Sequence, residues 1–98
     1  MHAVKRIEVL ADSVEMTKIL AGLDKAGIIA HTVIRNAIGR SPGADATQLD
    51  NVYIVAFCTP EQVKPVLENI RPVLNKFGGA CYISDAMEIR SVRCIASL

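Results

Sequence analysis

The hydrophobic period of this chain runs from two to 3.6 and back, twice over, and that order constrains the fold more than any single motif. Val4 to Leu10 alternates, with Ile7 and Val9 on one face and Arg6 and Glu8 on the other, as a strand does. Asp12 then stands three residues before Glu15, a capping-box spacing that satisfies free backbone donors at a helix start. Met16, Ile19, Leu20 and Leu23 follow at helical spacing, and Gly27 supplies a left-handed stop. His31 to Ile38 alternates again and predicts a second strand. Asn51 to Cys58 is a nearly continuous apolar run, which predicts a strand covered on both faces. Thr59-Pro60-Glu61-Gln62 reads as a helix start, with Thr as N-cap, Pro in the first turn and Gln three residues on. Val63, Val66, Leu67, Ile70, Leu74 and Phe77 supply its apolar stripe, and Gly78-Gly79 ends it. Pro65 and Pro72 each remove a backbone bond, so a late regular start or a kink near Pro72 is expected. Ala80 to Ser84 predicts a fourth strand, continued or extended by Met87 to Ile95.

The resulting order, β-α-β-β-α-β, is the split βαβ arrangement of an α+β, ferredoxin-like fold. Both helices should pack on one face of an antiparallel sheet. The other face then lacks cover within the chain, and an apolar third strand would leave a contiguous greasy patch there. A closed symmetric oligomer is the economical solution. The 98 residues suit one domain spanning 1–98, and a hydrophobic share of 51% is rich for so small a body.

Charge and cysteine usage exclude several function classes. A net charge of +1 provides no basic field for nucleic acid. The N-terminus has no signal-peptide core, and no apolar run approaches the ~20 residues that span a bilayer, so a cytoplasmic protein without membrane insertion is expected. The three cysteines, Cys58, Cys81 and Cys94, form no C-x-x-C pair and read as small apolar side chains in a reducing compartment. His2 and His31 have no second histidine at ligand spacing, so no metal site is expected. No Ser/His/Asp or Cys/His constellation emerges from order and spacing, and an enzyme is not expected.

The segments that remain are glycine turns and cations. Gly39 to Asp50 has no periodicity and is rich in Gly, Pro, Asp and Ser; at about a dozen residues it is long for a connection, and such loops are often functional. Gly39-Arg40-Ser41 opens it, and Lys76-Phe77-Gly78-Gly79 joins the second helix to the fourth strand. Glycine lets backbone amides approach a phosphate that a nearby cation neutralises, although each turn alone is equally an ordinary turn or helix stop. Arg90 and Arg93 are three apart, so an extended strand points them to opposite faces.

Gly27-Ile28, His31-Thr32-Val33 and Gly39-Arg40 together resemble the segment leading into the T-loop of PII signal proteins. Lys76-Phe77-Gly78-Gly79-Ala80-Cys81-Tyr82-Ile83-Ser84-Asp85 resembles the B-loop and following strand of that family. With Arg35-Asn36 before Gly39-Arg40-Ser41 and a short loop over 39–50, the chain looks most like carboxysome-associated PII-like proteins.

The resemblance implies a homotrimer with its sheets facing inward and nucleotide sites in clefts between subunits. Carried over by position, Thr32, Gly39 and Arg40 would form one wall, with Phe57 and Cys58 near the adenine. Gly78 and Gly79 would present backbone to phosphate, and Arg90 and Arg93 would contribute from the C-terminal segment. Ala80 stands where nitrogen-regulating members have a phosphate-binding lysine, and Ser91 where they have a C-terminal arginine. Fewer cations imply ADP or AMP in preference to ATP. The loop has no tyrosine to uridylylate, and Ser41 stands at the 2-oxoglutarate position. Bicarbonate is the implied second ligand, held by Arg35 and Arg40. No cofactor is required, and the implied protein partner is a bicarbonate transporter or carboxysome component. A divalent-metal-tolerance-type trimer and an acylphosphatase-like hydrolase share this element order. The first lacks its ligand clusters here, and the second lacks a glycine anion cradle at Ala11-Asp12-Ser13.

Overall fold

The computed structural model of the chain describes residues 1–40 and 46–90. Its elements are β1 (His2–Asp12), α1 (Met16–Lys25), β2 (Thr32–Gly39), β3 (Gln48–Cys58), α2 (Val63–Phe77) and β4 (Ala80–Glu88), with a short 3-10 turn before each helix. The strands form one antiparallel sheet in the order β2-β3-β1-β4. This is the expected β-α-β-β-α-β arrangement.

Alternation along the strands sorts the side chains by face. Ile7, Val9 and Ala11 of β1 and Val52, Ile54, Ala56 and Cys58 of β3 are buried against Ile19, Leu23, Val66 and Ile70 of the helices. The helices cross closely at Gly22, where an added Cβ would come within 2.8 Å of Ile70 Cδ1 and 2.9 Å of the Asn69 carbonyl oxygen. Gln62 links the two halves. Its Oε1 accepts from the Thr59 backbone N–H at 2.9 Å, and its Nε2 donates to the Gly27 carbonyl at 3.2 Å. Thus the residue that opens α2 also closes the turn after α1.

The opposite face carries Ile34, Tyr53, Leu10 and Ala80 in one cross-strand row, and Thr32, Val55, Glu8 and Tyr82 in the next. Ile34, Leu10, Phe57 and Tyr82 are exposed there. A polar string crosses this apolar ground. Tyr53 donates its hydroxyl to Glu8 at 2.7 Å, and Arg6 Nε lies 3.2 Å from the same carboxylate. The bond to Glu8 holds the Tyr53 phenol above its ordinary pKa. Within the chain β3 is therefore covered on its helix side only, and its second apolar face is left open, as the element order leads one to expect.

Other boundaries differ for local reasons. The Asp12 carboxylate caps its turn by accepting from Val14 N–H at 3.1 Å, but Glu15 turns to Lys18 (3.2 Å) instead of reaching back. Pro65 falls in the first turn of α2, where helical N–H groups have no partner to lose, and α2 continues through Pro72. Gly39 belongs to β2, and Gln48–Asp50 belong to β3, so the connection is shorter at both ends than 39–50. The expected continuation of β4 stops at Glu88; residues 91–95 lie outside those described. Among the described residues, no helix is long and apolar enough to cross a membrane.

Candidate functional site

The far end of the β2–β3 hairpin is shaped by two irregularities. Asn36 adopts φ 57°, a left-handed conformation that Asn tolerates better than most residues, and an extra residue enters β2 between Ile34 and Ala37. The ladder shifts back between Ala37 and Gly39, opposite Asn51 and Gln48. Asn51 Nδ2 donates to both the Ala37 and Gln48 carbonyls at 3.1 Å, satisfying groups that the broken ladder leaves over.

Facing this hairpin is the turn from α2 to β4. Gly78 (φ 87°) and Gly79 (φ 107°) both occupy backbone space that favours glycine. A Cβ on Gly79 would sit 2.9 Å from the Leu10 carbonyl oxygen and 3.1 Å from Ala11 Cβ, so the turn lies tight against the end of β1. Gly78 N–H closes the helix on the Leu74 carbonyl at 2.8 Å, so a phosphate contact at this turn falls to Gly79.

Between hairpin and turn lies a cleft of about 360 Å³, with the end of β1 as its floor. Gly39 and Arg40 stand on one side, Phe77, Gly78 and Gly79 on the other, and Leu10, Ala11 and Asp12 beneath. Phe77 is part-exposed and carries two ammonium groups near its ring, Lys18 at 4.1 Å and Lys76 at 5.3 Å. The two glycine turns singled out in the sequence thus meet across one space, although they are about forty residues apart in the chain. That space offers a cation and close-approach backbone, the groups an anion needs.

The remaining candidate residues are elsewhere. Thr32 is exposed on β2 opposite Val55, and Arg35 is exposed in the bulge outside the cleft. Phe57 and Cys58 sit at the other end of β3, opposite Arg6 and Lys5. From Gln48 to Phe57 is about 30 Å at the rise of a strand. Phe57 is exposed on the open face, whereas the Cys58 side chain is fully buried in the core and offers only backbone. Burial raises the Cys58 thiol pKa, as it does that of Cys81. Arg90 is exposed beyond the end of β4, and Ser41, Arg93 and Cys94 lie outside the described residues. The chain therefore carries two groups of candidates at opposite ends of its sheet. Phe77 joins the cleft as part of the turn already singled out, while Asp12, Gln48 and Asn51 join it although nothing in the sequence marks them as ligand-facing. Asp12 is readable there only as a cap, because its neighbours across the cleft are distant in sequence.

The geometry bears on the rival chemistries too. At the first strand-helix junction the capping position is filled by a carboxylate, the wrong charge for an anion cradle. Among the described residues, no group of three or more His, Cys, Asp or Glu is placed to hold a metal.

The family model of nitrogen regulatory protein P-II matches residues 4–93. Among solved structures, the chain is similar to CPII from Thiomonas intermedia K12 bound to ADP and bicarbonate, with a TM-score of 0.79 and 22% identity over 91% of each chain. It is also similar to a PII-like signaling protein from Thermus thermophilus, with a TM-score of 0.67 and 11% identity over 86% of this chain and 87% of the other. The B. subtilis GlnK-ATP complex gives a TM-score of 0.64 and 16% identity over 86% of this chain and 82% of the other. At such identities the likeness is one of fold. No curated protein matches the chain.

Proposed function

The chain belongs to the nitrogen regulatory protein P-II family, and from that premise we propose that it binds an adenine nucleotide, ADP or AMP in preference to ATP, in clefts between the subunits of a homotrimer. It is a PII-like regulatory protein. The observation that carries the nucleotide reading is the meeting of Gly39-Arg40 with Gly78-Gly79 across one cleft. The Phe57 group at the opposite end of the sheet supports a shared site. One subunit supplies the phosphate-facing cleft, and its neighbour supplies Phe57, Thr32 and the Cys58 backbone for the base. Arg90, beyond the end of β4, belongs with this second group, and Arg93 is proposed as a further cation from the C-terminal segment.

The open, apolar sheet face supports the trimer, because subunit contact would cover Ile34, Leu10, Phe57 and Tyr82. Bicarbonate would be held by Arg40 with Arg35, as CPII is bound to ADP and bicarbonate. The segment over 39–50 would then report ligand occupancy to a protein partner, a bicarbonate transporter or a carboxysome component in the cytoplasm. The protein acts as a sensor and not as an enzyme.

A thermal-shift and calorimetry panel of AMP, ADP, ATP with magnesium, and bicarbonate tests the reading. Ligand binding stabilises by mass action, so ADP and AMP should raise Tm in a saturable way and more than ATP at equal concentration. Arg40→Ala should weaken binding roughly tenfold or more, the scale of one charge-assisted contact. ATP with magnesium binding as tightly as ADP rejects the preference.

A further inference from the structure

The charges around the cleft say more than which ligand class it takes. Among the described residues lining it, Arg40 and Asp12 are the charged ones. Asp12 is exposed, at the end of β1, and pairs across the ladder with Asn51. One of its oxygens, Oδ1, accepts from Val14 N–H, which fixes the carboxylate at the cleft floor. A second carboxylate, Asp50, is tied to the same junction by the Ser13 hydroxyl, which donates to it at 2.7 Å. Gln48 and Asn51, which also line the cleft, are neutral. The lining thus carries one cation and one carboxylate; the Lys18 and Lys76 ammonium groups stand beside the Phe77 ring at its edge, and Ala80 adds no charge at the start of β4.

We infer that Asp12 is a specificity-determining residue that limits how many phosphates the cleft accepts. Asp12 lines the space where phosphates would lie, and its charge disfavours each added negative charge, so it discriminates against ATP more than ADP, and ADP more than AMP. The inference rests on the reading of the cleft as a nucleotide phosphate site. It differs from a simple shortage of cations, because it assigns the selectivity to one removable charge.

Asp12→Asn separates that charge from the capping role, since Asn and Asp cap about equally well. Calorimetric titrations of wild type and Asp12→Asn with AMP, ADP and ATP, each with and without magnesium at fixed ionic strength, provide the test. The substitution should tighten ATP binding roughly five- to tenfold, the effect of one charge acting over several ångströms of partly wetted cleft. ADP should gain less and AMP least. Equal gains for all three nucleotides, or no gain, overturn the inference. Weaker ATP binding only when magnesium is present also overturns it, by making Asp12 a magnesium ligand. Should Asp12→Asn lose stability, Asp12→Ser, another good cap, gives the same comparison. Wild-type protein that binds none of the three nucleotides rejects the reading of the cleft itself, which the wild-type titrations decide on their own.

Discussion

At the scale of single residues, the α2–β4 turn separates two constraints that a glycine can satisfy. Gly78 has a positive φ but open space around its missing Cβ, whereas Gly79 has a positive φ and the Leu10 carbonyl 2.9 Å from where that carbon would be. Gly78→Ala should therefore cost backbone strain alone, about 1–3 kcal/mol. Gly79→Ala adds a clash with β1 and should cost roughly 1–3 kcal/mol more. Urea unfolding of the two variants measures the difference, and a milder effect at Gly79 contradicts this account. Because Gly79 also borders the cleft, its variant should lose ligand-induced stabilisation as well. The glycine pair is legible in sequence as a helix stop. Its contact with β1 is not, since nothing local relates Gly79 to Leu10.

At the scale of elements, what reads well from sequence is chemistry that closes within a few residues. Thr59 and Gln62 announce the start of α2, and the structure places them in contact as expected. Gln62 reaches further, to the Gly27 carbonyl, and that second bond is invisible in sequence because it spans two helices. Gln62→Ala should remove both and lower stability by about 1–2 kcal/mol, with no change in the slope of denaturant unfolding. A loss below about 0.3 kcal/mol by that measurement would mean that water replaces Gln62 at both carbonyl and amide. The β2–β3 hairpin shows the opposite case. Gln48, Leu49 and Asp50 look like loop, yet they pair in β3, because strand length here is set by the partner and by Asn51. The bulge at Asn36 likewise needs both strands to be seen.

At the scale of the whole molecule, the element order and the uncovered sheet face follow from periodicity, and both are present. The face is not purely apolar. The Tyr53–Glu8–Arg6 string gives it direction, so contact between copies must place those groups as well as bury Ile34 and Tyr82. Light scattering should give a trimer at micromolar concentration, and a monomer would remove the proposed shared site. The candidate site is legible in half. Glycine turns carry a local signature, while Asp12 and Asn51 enter only because the end of β1 meets the starts of β3 and β4 at the same place.

The separation of the two candidate groups by the length of β3 has a genetic consequence. If each nucleotide bridges the cleft of one subunit and the Phe57 end of the next, the site is a joint property of two gene products. A subunit carrying Arg40→Ala still donates a sound Phe57 end, and one carrying Phe57→Ala still donates a sound cleft. Co-expressed, two such defective alleles would complement each other around the ring. Every mixed ring, whatever its composition, would regain one working junction where the intact halves meet.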